Sequence, residues 1–210
     1  MRVRTLLDAG IVASVLFVVV LLVQGATRPG YSAWRNYGSS LSLGDGGWVQ
    51  IANFLIAGVL FGAFAVGLLR VRMRAVGILI GLFALMLVVA GLFVTDPGLG
   101  YPPGAPAGQV GPTPHGAIHA LSGLFVFIFS TLAAIVAAVQ AARRGQWRWS
   151  LVSTVVAVII AGFFASQVAA NADERTAVPG LEGLYQRVFI VGAWAWIALL
   201  AYRVRSTKVG

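Results

Sequence analysis

Two histidines four residues apart, His115 and His119, form the pattern in this sequence that is best suited to chemistry. Residues at this spacing share one face of a helix, where two imidazoles can ligate one metal ion or transfer protons. Pro114 suits the first helical position and Thr113 suits the N-cap, so we predict that a helix begins here. Both histidines would lie in its first turns.

Asp96 is the candidate third member of this site. It follows an apolar segment that ends at the same predicted boundary, and a loop rich in Gly and Pro leads from it to His115. Asp96, His115 and His119 are therefore predicted either as general acid–base catalysts or as the ligands of a divalent metal, the one cofactor that the sequence suggests. In a third, structural interpretation, both imidazoles hydrogen-bond loop carbonyls or Asp96.

Arg187 is the second candidate, since it lies at or just inside the boundary of the last apolar segment. A charged side chain at that depth is costly and usually has a partner. The predicted partners are Asp96, Glu182 and Asp45, and snorkelling to lipid head groups is the alternative.

The amides Gln50 and Asn53 are three residues apart near the start of another apolar segment, so they face the same side. Gln186 occupies a similar place beside Arg187. Amides inside a membrane span usually connect helices, and ligand binding is the alternative.

The elements that must position these residues are membrane helices. Of the 210 residues, 59% are hydrophobic and 10% are charged, which excludes an ordinary soluble domain, and there is no cysteine for a disulfide-built scaffold. Apolar runs predict an all-α membrane protein, a bundle of six transmembrane helices in a single domain. Three glycines in the second span, Gly58, Gly62 and Gly67, predict close helix packing. The predicted spans are residues 6–24, 48–69, 75–95, 115–142, 150–170 and 184–202.

The net charge of +9 is a signal of orientation. Eleven of the fifteen Lys and Arg residues fall at one end of the predicted bundle, which places both termini in the cytoplasm. Binding to nucleic acid is therefore not expected, and membrane lipids are the expected partners. The eleven residues are Arg2, Arg4, Arg70, Arg72, Arg74, Arg143, Arg144, Arg148, Arg203, Arg205 and Lys208.

Several motifs follow one another along the chain in a characteristic order. They are Arg28-Pro29-Gly30-Tyr31, Gly46-Gly47-Trp48-Val49-Gln50, Thr95-Asp96-Pro97, Gly100-Tyr101-Pro102-Pro103-Gly104, the His115 and His119 pair, and Gln186-Arg187. This ordered set resembles a bacterial membrane family, domain of unknown function 998, and the resemblance runs from about Gly30 to the end of the sixth span. It implies a small six-span protein of the bacterial cytoplasmic membrane, and it brings no activity with it.

The resemblance also implies that Tyr101 belongs to the site, together with Asp96, the two histidines, Gln186 and Arg187. The chain departs from the family pattern at Arg35-Asn36-Tyr37, where members often have a histidine, and at Ala120, where an aspartate often follows the second histidine. Both departures remove additional ligands from the metal interpretation.

The hypothesis that follows is a protein that binds or modifies a lipid or an isoprenoid-like amphiphile at the extracytoplasmic side of the bundle. The alternatives are a metal-dependent membrane hydrolase that uses the histidine pair, and a non-catalytic structural or partner subunit. Transport is less well supported, because the spans have no ionisable residues at mid-membrane and no Gly/Pro interruptions. The predicted ligand-binding residues are Arg187, Tyr101, Gln186, Gln50, Asn53 and Glu182.

Overall fold

The computed structural model describes residues 2–108, 111–172 and 180–208. Apart from one isolated β-bridge between Gly98 and Tyr101, the regular structure of these residues is helical. A 3-10 helix, Gly38–Ser42, lies between the first two α-helices. The α-helices are α1 Val3–Thr27, α2 Gly47–Arg70, α3 Arg74–Leu92, α4 Pro114–Ala142, α5 Trp147–Ala172 and α6 Glu182–Lys208.

Six helices among the described residues are long and apolar enough to cross a membrane. The predicted all-α, six-span membrane protein is therefore confirmed. α3 falls short of its predicted span, since it ends at Leu92 and not near Thr95, whereas α1, α5 and α6 extend beyond their predicted spans, α6 as far as Lys208. The backbone is already extended at Phe93, and Pro97 follows shortly after, where a helix could not have continued.

Each helix packs against the next one along the chain, and α6 also packs against α1. α2 and α3, and likewise α4 and α5, are joined by short connections and lie side by side. Asp8 near the start of α1 forms an ion pair with Arg205 near the end of α6, at 2.8 Å, so both termini lie at one end of the bundle. We call this end the terminal end, and the opposite end, which carries the loops after α1 and α3, the loop end. The assignment of the terminal end to the cytoplasm stays a prediction.

Aromatic rings fill the centre of the bundle. Trp194 of α6 is almost fully buried, and its ring centroid lies 5.0 Å from that of Phe17 in α1, 6.2 Å from Phe61 in α2 and 5.1 Å from Phe83 in α3. Rings at these separations attract one another beyond the effect of burial alone. A side chain of α6 thus links three other helices.

Close packing at glycines holds for two of the three predicted positions. A Cβ at Gly58 would lie 2.6 Å from a methyl group of Val88 in α3, and one at Gly67 would lie 3.1 Å from Leu6 in α1. The prediction for Gly62 was wrong, because a Cβ there meets nothing within 4 Å. The sequence pattern did not show which face of α2 is turned towards a neighbour.

Candidate functional site

His119 is buried in the second turn of α4, where it contacts the end of α3. Its Nδ1 lies 3.1 Å from the carbonyl oxygen of Ala90 and 2.8 Å from that of Phe93. A carbonyl can only accept a hydrogen bond, so Nδ1 carries the proton. These carbonyls belong to the end of α3, which would otherwise leave them without a partner. The structural interpretation of His119 is therefore correct for Nδ1, and in the neutral ring Nε2 is a hydrogen-bond acceptor with no partner among the described residues.

His115 does not join His119 in one site. It is exposed, and its ring packs against Phe93 at a centroid distance of 5.2 Å. The spacing of four places both residues on the same side of α4, but His115 lies at the edge of the bundle and His119 lies beneath it.

Asp96 binds the start of α4. Its Oδ2 accepts a hydrogen bond from the backbone N–H of Thr113 at 2.8 Å, and its Oδ1 accepts one from the Thr113 hydroxyl at 2.6 Å. The Thr113 oxygen in turn accepts from the N–H of Gly116 at 3.1 Å, which confirms the predicted N-cap. A carboxylate is stabilised at this end of a helix by the helix dipole. Asp96 thus connects α3 to α4.

The predicted metal triad is not assembled. Among the residues that the structure describes, no group of three or more His, Cys, Asp or Glu side chains is arranged to hold a metal ion. The Asp96 oxygens are hydrogen-bonded to Thr113, and the Nδ1 of His119 is hydrogen-bonded to the carbonyls of Ala90 and Phe93.

Arg187 is buried and holds the first loop onto α6. Its Nη1 donates to the carbonyl oxygens of Ala33 at 2.6 Å, Asn36 at 3.0 Å and Gly183 at 2.9 Å, and its Nη2 donates to the hydroxyl of Tyr31. The predicted acidic partners were wrong, because the guanidinium forms no ion pair in the described part of the chain. Neutral carbonyl dipoles take the place of a counter-ion.

Two loops close the loop end, and we call residues 28–46 and 93–108 the cap. Tyr101 is buried in it, with its ring edge-on to Tyr31 at 5.1 Å, and Asn36 Nδ2 donates to the Leu99 carbonyl at 2.9 Å. Arg35 donates to the Ala107 carbonyl at 2.7 Å. Burial raises the pKa of the Tyr31 hydroxyl, and the nearby Arg187 charge opposes part of this shift. The predicted site residues Tyr101 and Arg187 are thus parts of one structural unit.

Arg28 also holds the cap, a role that its place in the sequence did not predict. Its guanidinium donates to the carbonyls of Asp45 at 2.5 Å and Gly46 at 2.8 Å, and to Gln24 Oε1 at 2.8 Å. Gln24 then donates to Gln50 Oε1 at 2.9 Å. A hydrogen-bond chain therefore runs from the surface to the buried amide of Gln50.

A cavity of about 350 Å³ lies below the cap and between the helices. It includes three of the predicted site residues, Gln50, His119 and Gln186, and its walls are mostly aromatic and aliphatic. No Asp, Glu, Lys or Arg lines it among the described residues. The lining residues are Phe17, Leu21, Tyr37, Gly38, Ser39, Gln50, Phe54, Leu87, Ala90, Thr95, His119, Ala120, Gly123, Leu124, Val126, Phe127, Phe163, Phe164, Gln186, Ile190 and Trp194.

Two hydrogen-bond donors of the lining residues have no partner in the part of the chain that the structure describes. Gln50 is fully buried, and its Nε2 makes no hydrogen bond, although its Oε1 accepts from Gln24. The indole Nε1 of Trp194 also lacks a partner. Buried polar groups without partners are uncommon in folded proteins and each calls for an explanation. By contrast, Gln186 Oε1 accepts from the N–H of Gly38 at 2.7 Å.

Asn53 and Glu182, the last two predicted site residues, also lie outside the cavity lining. Asn53 Nδ2 donates to the Phe17 carbonyl at 3.2 Å, so this amide connects α2 to α1, as amides in spans usually do. Glu182 begins α6, and its Oε2 is buried without a partner. The predicted residues therefore divide between the cavity, the cap and the helix junctions.

Most of the chain matches a known protein family. A family model described as "Protein of unknown function (DUF998)" matches residues 11–203. The chain belongs to the DUF998 family. A search of curated proteins and a search of solved structures each found no match. Membership of DUF998 confirms the resemblance seen in the motifs and, with the six helices, identifies a multi-pass integral membrane protein.

Proposed function

We propose that this protein binds a neutral amphiphile, a lipid or an isoprenoid-like molecule with a hydroxyl-bearing head, in the cavity at the loop end. The observation that carries the proposal is the fully buried Gln50, which belongs to the lining of a mainly apolar cavity and whose Nε2 has no partner among the described residues. Ligand sites commonly combine apolar walls with a few polar groups of this kind, and the cavity is within their usual size range.

The polar groups indicate the chemistry of the head. The Nε2–H of Gln50 requires an acceptor, and the unprotonated Nε2 of His119 requires a donor. A hydroxyl group is both at once. A phosphate or carboxylate fits less well, because no cation lines the cavity in the described chain and the guanidinium of Arg187 is bonded to the cap.

The depth of the lining residues gives the direction of the ligand. Gln50 and His119 are in the first two turns of α2 and α4, roughly 5–8 Å from the helix starts at 1.5 Å per residue. Trp194 is about 18 Å from the start of α6 by the same rise. The head would therefore lie near the loop end, with an apolar chain extending towards the aromatic centre of the bundle.

The contacts favour binding over the two catalytic alternatives. Of the three predicted catalytic residues only His119 lines the cavity, and its Nδ1 is engaged by the end of α3. Asp96 and His115, which the hydrolase hypothesis requires, contact α4 and Phe93 instead.

Two glycines provide a matched test. A Cβ at Gly123 or at Gly162 would meet nothing within 4 Å, but Gly123 lines the cavity and Gly162 is exposed on α5. Gly123→Leu should fill the cavity, whereas Gly162→Leu adds the same side chain outside it. The protein would be purified in mild detergent and analysed by native mass spectrometry, with added long-chain prenol and diacylglycerol as neutral probes.

We expect wild type and Gly162→Leu to carry or take up a neutral amphiphile, and Gly123→Leu to lose it. Equal occupancy in both variants would contradict the proposal. So would the absence of bound amphiphile in wild type after both probes have been added.

A further inference from the structure

A second cavity, of about 310 Å³, lies at the terminal end of the bundle. It is formed where α4 ends and α5 begins, against the last turns of α6. Its lining contains two arginines, several neutral polar residues and several apolar residues. The lining residues are Met73, Ala137, Gln140, Ala141, Arg144, Gln146, Trp149, Leu200, Arg203, Val204 and Thr207.

The two arginines bring positive charge that the described chain does not neutralise. Arg203 Nη2 donates to Gln146 Oε1 at 3.0 Å, and its guanidinium lies 5.4 Å from the centre of the Trp149 ring. These contacts orient the guanidinium but leave it without a carboxylate. The side chain of Arg144 forms no hydrogen bond or ion pair among the described residues, although its backbone N–H donates to the Ala141 carbonyl at 3.0 Å. The one ion pair that these residues form joins Asp8 to Arg205.

The start of α5 adds to this positive field, whereas the C-terminal turns of α4 and α6 at the same cavity oppose it. The cavity includes Gln146 and Trp149, which flank the first turn of α5, and this long helix begins at Trp147. The first N–H groups of a helix have no partner within it, and they favour a nearby anion. Two guanidinium groups and a helix start therefore act on the same space.

Part of the lining is apolar, since Ala137 and Ala141 of α4 and Leu200 and Val204 of α6 belong to it. A cavity with both cationic and apolar lining fits a molecule with a charged head and a hydrocarbon chain. Arginine pairs bind phosphate oxygens well, because several N–H donors have a fixed geometry.

We infer that this cavity binds a phosphate-bearing anion, for which the head group of an anionic phospholipid and a free phosphate ion are the two sources. The inference does not depend on the function proposed for the cavity at the loop end. The apolar part of the lining favours the phospholipid, from the leaflet at the terminal end.

The test compares two double variants that lose the same charge. The cavity variant removes both cations of the cavity and carries Arg144→Gln and Arg203→Gln. The surface variant removes two exposed arginines that lie at the same end but do not line the cavity, and it carries Arg143→Gln and Arg148→Gln. The proteins would be embedded in nanodiscs of neutral lipid and titrated with phosphatidylglycerol. In detergent without phospholipid they would be titrated with inorganic phosphate.

We expect the cavity variant to bind phosphatidylglycerol roughly tenfold more weakly than wild type and the surface variant to change by less than about threefold. Binding of inorganic phosphate that depends on Arg144 and Arg203 would identify a soluble anion as the source. Equal weakening in both variants, or no binding of either probe, would overturn the inference. If loss of the Arg203–Trp149 contact impairs folding, Arg144→Gln alone is compared with Arg143→Gln, because Arg144 has no such contact.

Discussion

The role of Arg187 can be decided by replacing it with methionine, which keeps most of the apolar stem and removes the guanidinium. The guanidinium contacts four acceptors, the carbonyls of Ala33, Asn36 and Gly183 and the Tyr31 hydroxyl. Three N–H groups supply these contacts, because Nη1 has two hydrogens for its three carbonyls. At about 0.6 kcal/mol for each donating N–H, the average between membrane helices, the contacts amount to about 1.8 kcal/mol. At about 1.5 kcal/mol each, a low value for a charged donor, they amount to about 4.5 kcal/mol.

Removing the buried charge also removes its desolvation cost, which offsets part of the loss. We therefore expect Arg187→Met to lower the free energy of unfolding by about 2–4 kcal/mol. Equilibrium unfolding in mixed micelles would measure this value. Hydrogen exchange would show whether the amides of residues 31–38, which the guanidinium holds against α6, lose protection.

Arg35→Met is the matched control, since Arg35 belongs to the same cap but is exposed and donates one hydrogen bond to Ala107. Its removal should cost about 0.5 kcal/mol or less. If Arg187→Met costs no more than this control and the cap amides stay protected, Arg187 snorkels to the lipid head groups and the reasoning is refuted.

Three further outcomes are expected. Gly116→Ala places a Cβ 1.8 Å from Asp96 Oδ2 and should destabilise the protein by about 1–2 kcal/mol in thermal unfolding. Gly123→Ala on the same helix should be neutral or stabilising by up to about 1 kcal/mol. Equal effects of the two substitutions would contradict the Asp96 contact. Gln50→Leu removes a buried donor that has no partner among the described residues, together with the acceptor of two hydrogen bonds from Gln24 and Asn53. The stability of the empty protein should therefore fall by less than about 2 kcal/mol while bound amphiphile is lost. Retained amphiphile would count against Gln50 as the head-group ligand. The pKa of Tyr31 is raised on folding, so its stabilising contribution is complete below about pH 10 and falls as the pH rises further. Tyr31→Phe should therefore show a shallower alkaline decline of stability than wild type. Identical declines would refute this.

The six helices could be predicted from the sequence because each apolar run is long enough to span a bilayer. The N-cap at Thr113 was also predictable, since it depends on neighbours along the chain. The end of α3 was less predictable, because it depends partly on His119 of the next helix, whose Nδ1 binds the carbonyls of Ala90 and Phe93.

The candidate site was only partly predictable for the same reason. The sequence indicated Gln50, His119 and Gln186, which line the cavity, but it combined His119 with Asp96 and His115, which do not. Spacing along a helix fixes the face of a residue and not its depth or its partners. The aromatic wall of the cavity could not be identified at all, because both the lipid-facing and the inward-facing sides of a membrane helix are apolar.

The cap is held mainly by side-chain donors that bind main-chain oxygens. Arg28, Arg35, Asn36 and Arg187 all donate to carbonyl groups. Every amino acid supplies a carbonyl, so the acceptor positions of the cap, such as Ala33, tolerate a change of side chain without losing the bond. A saturation mutagenesis scan should therefore find a few donor positions in the cap with strict requirements and many acceptor positions that accept most residues. Loops built in this way can diverge widely in sequence while keeping one shape.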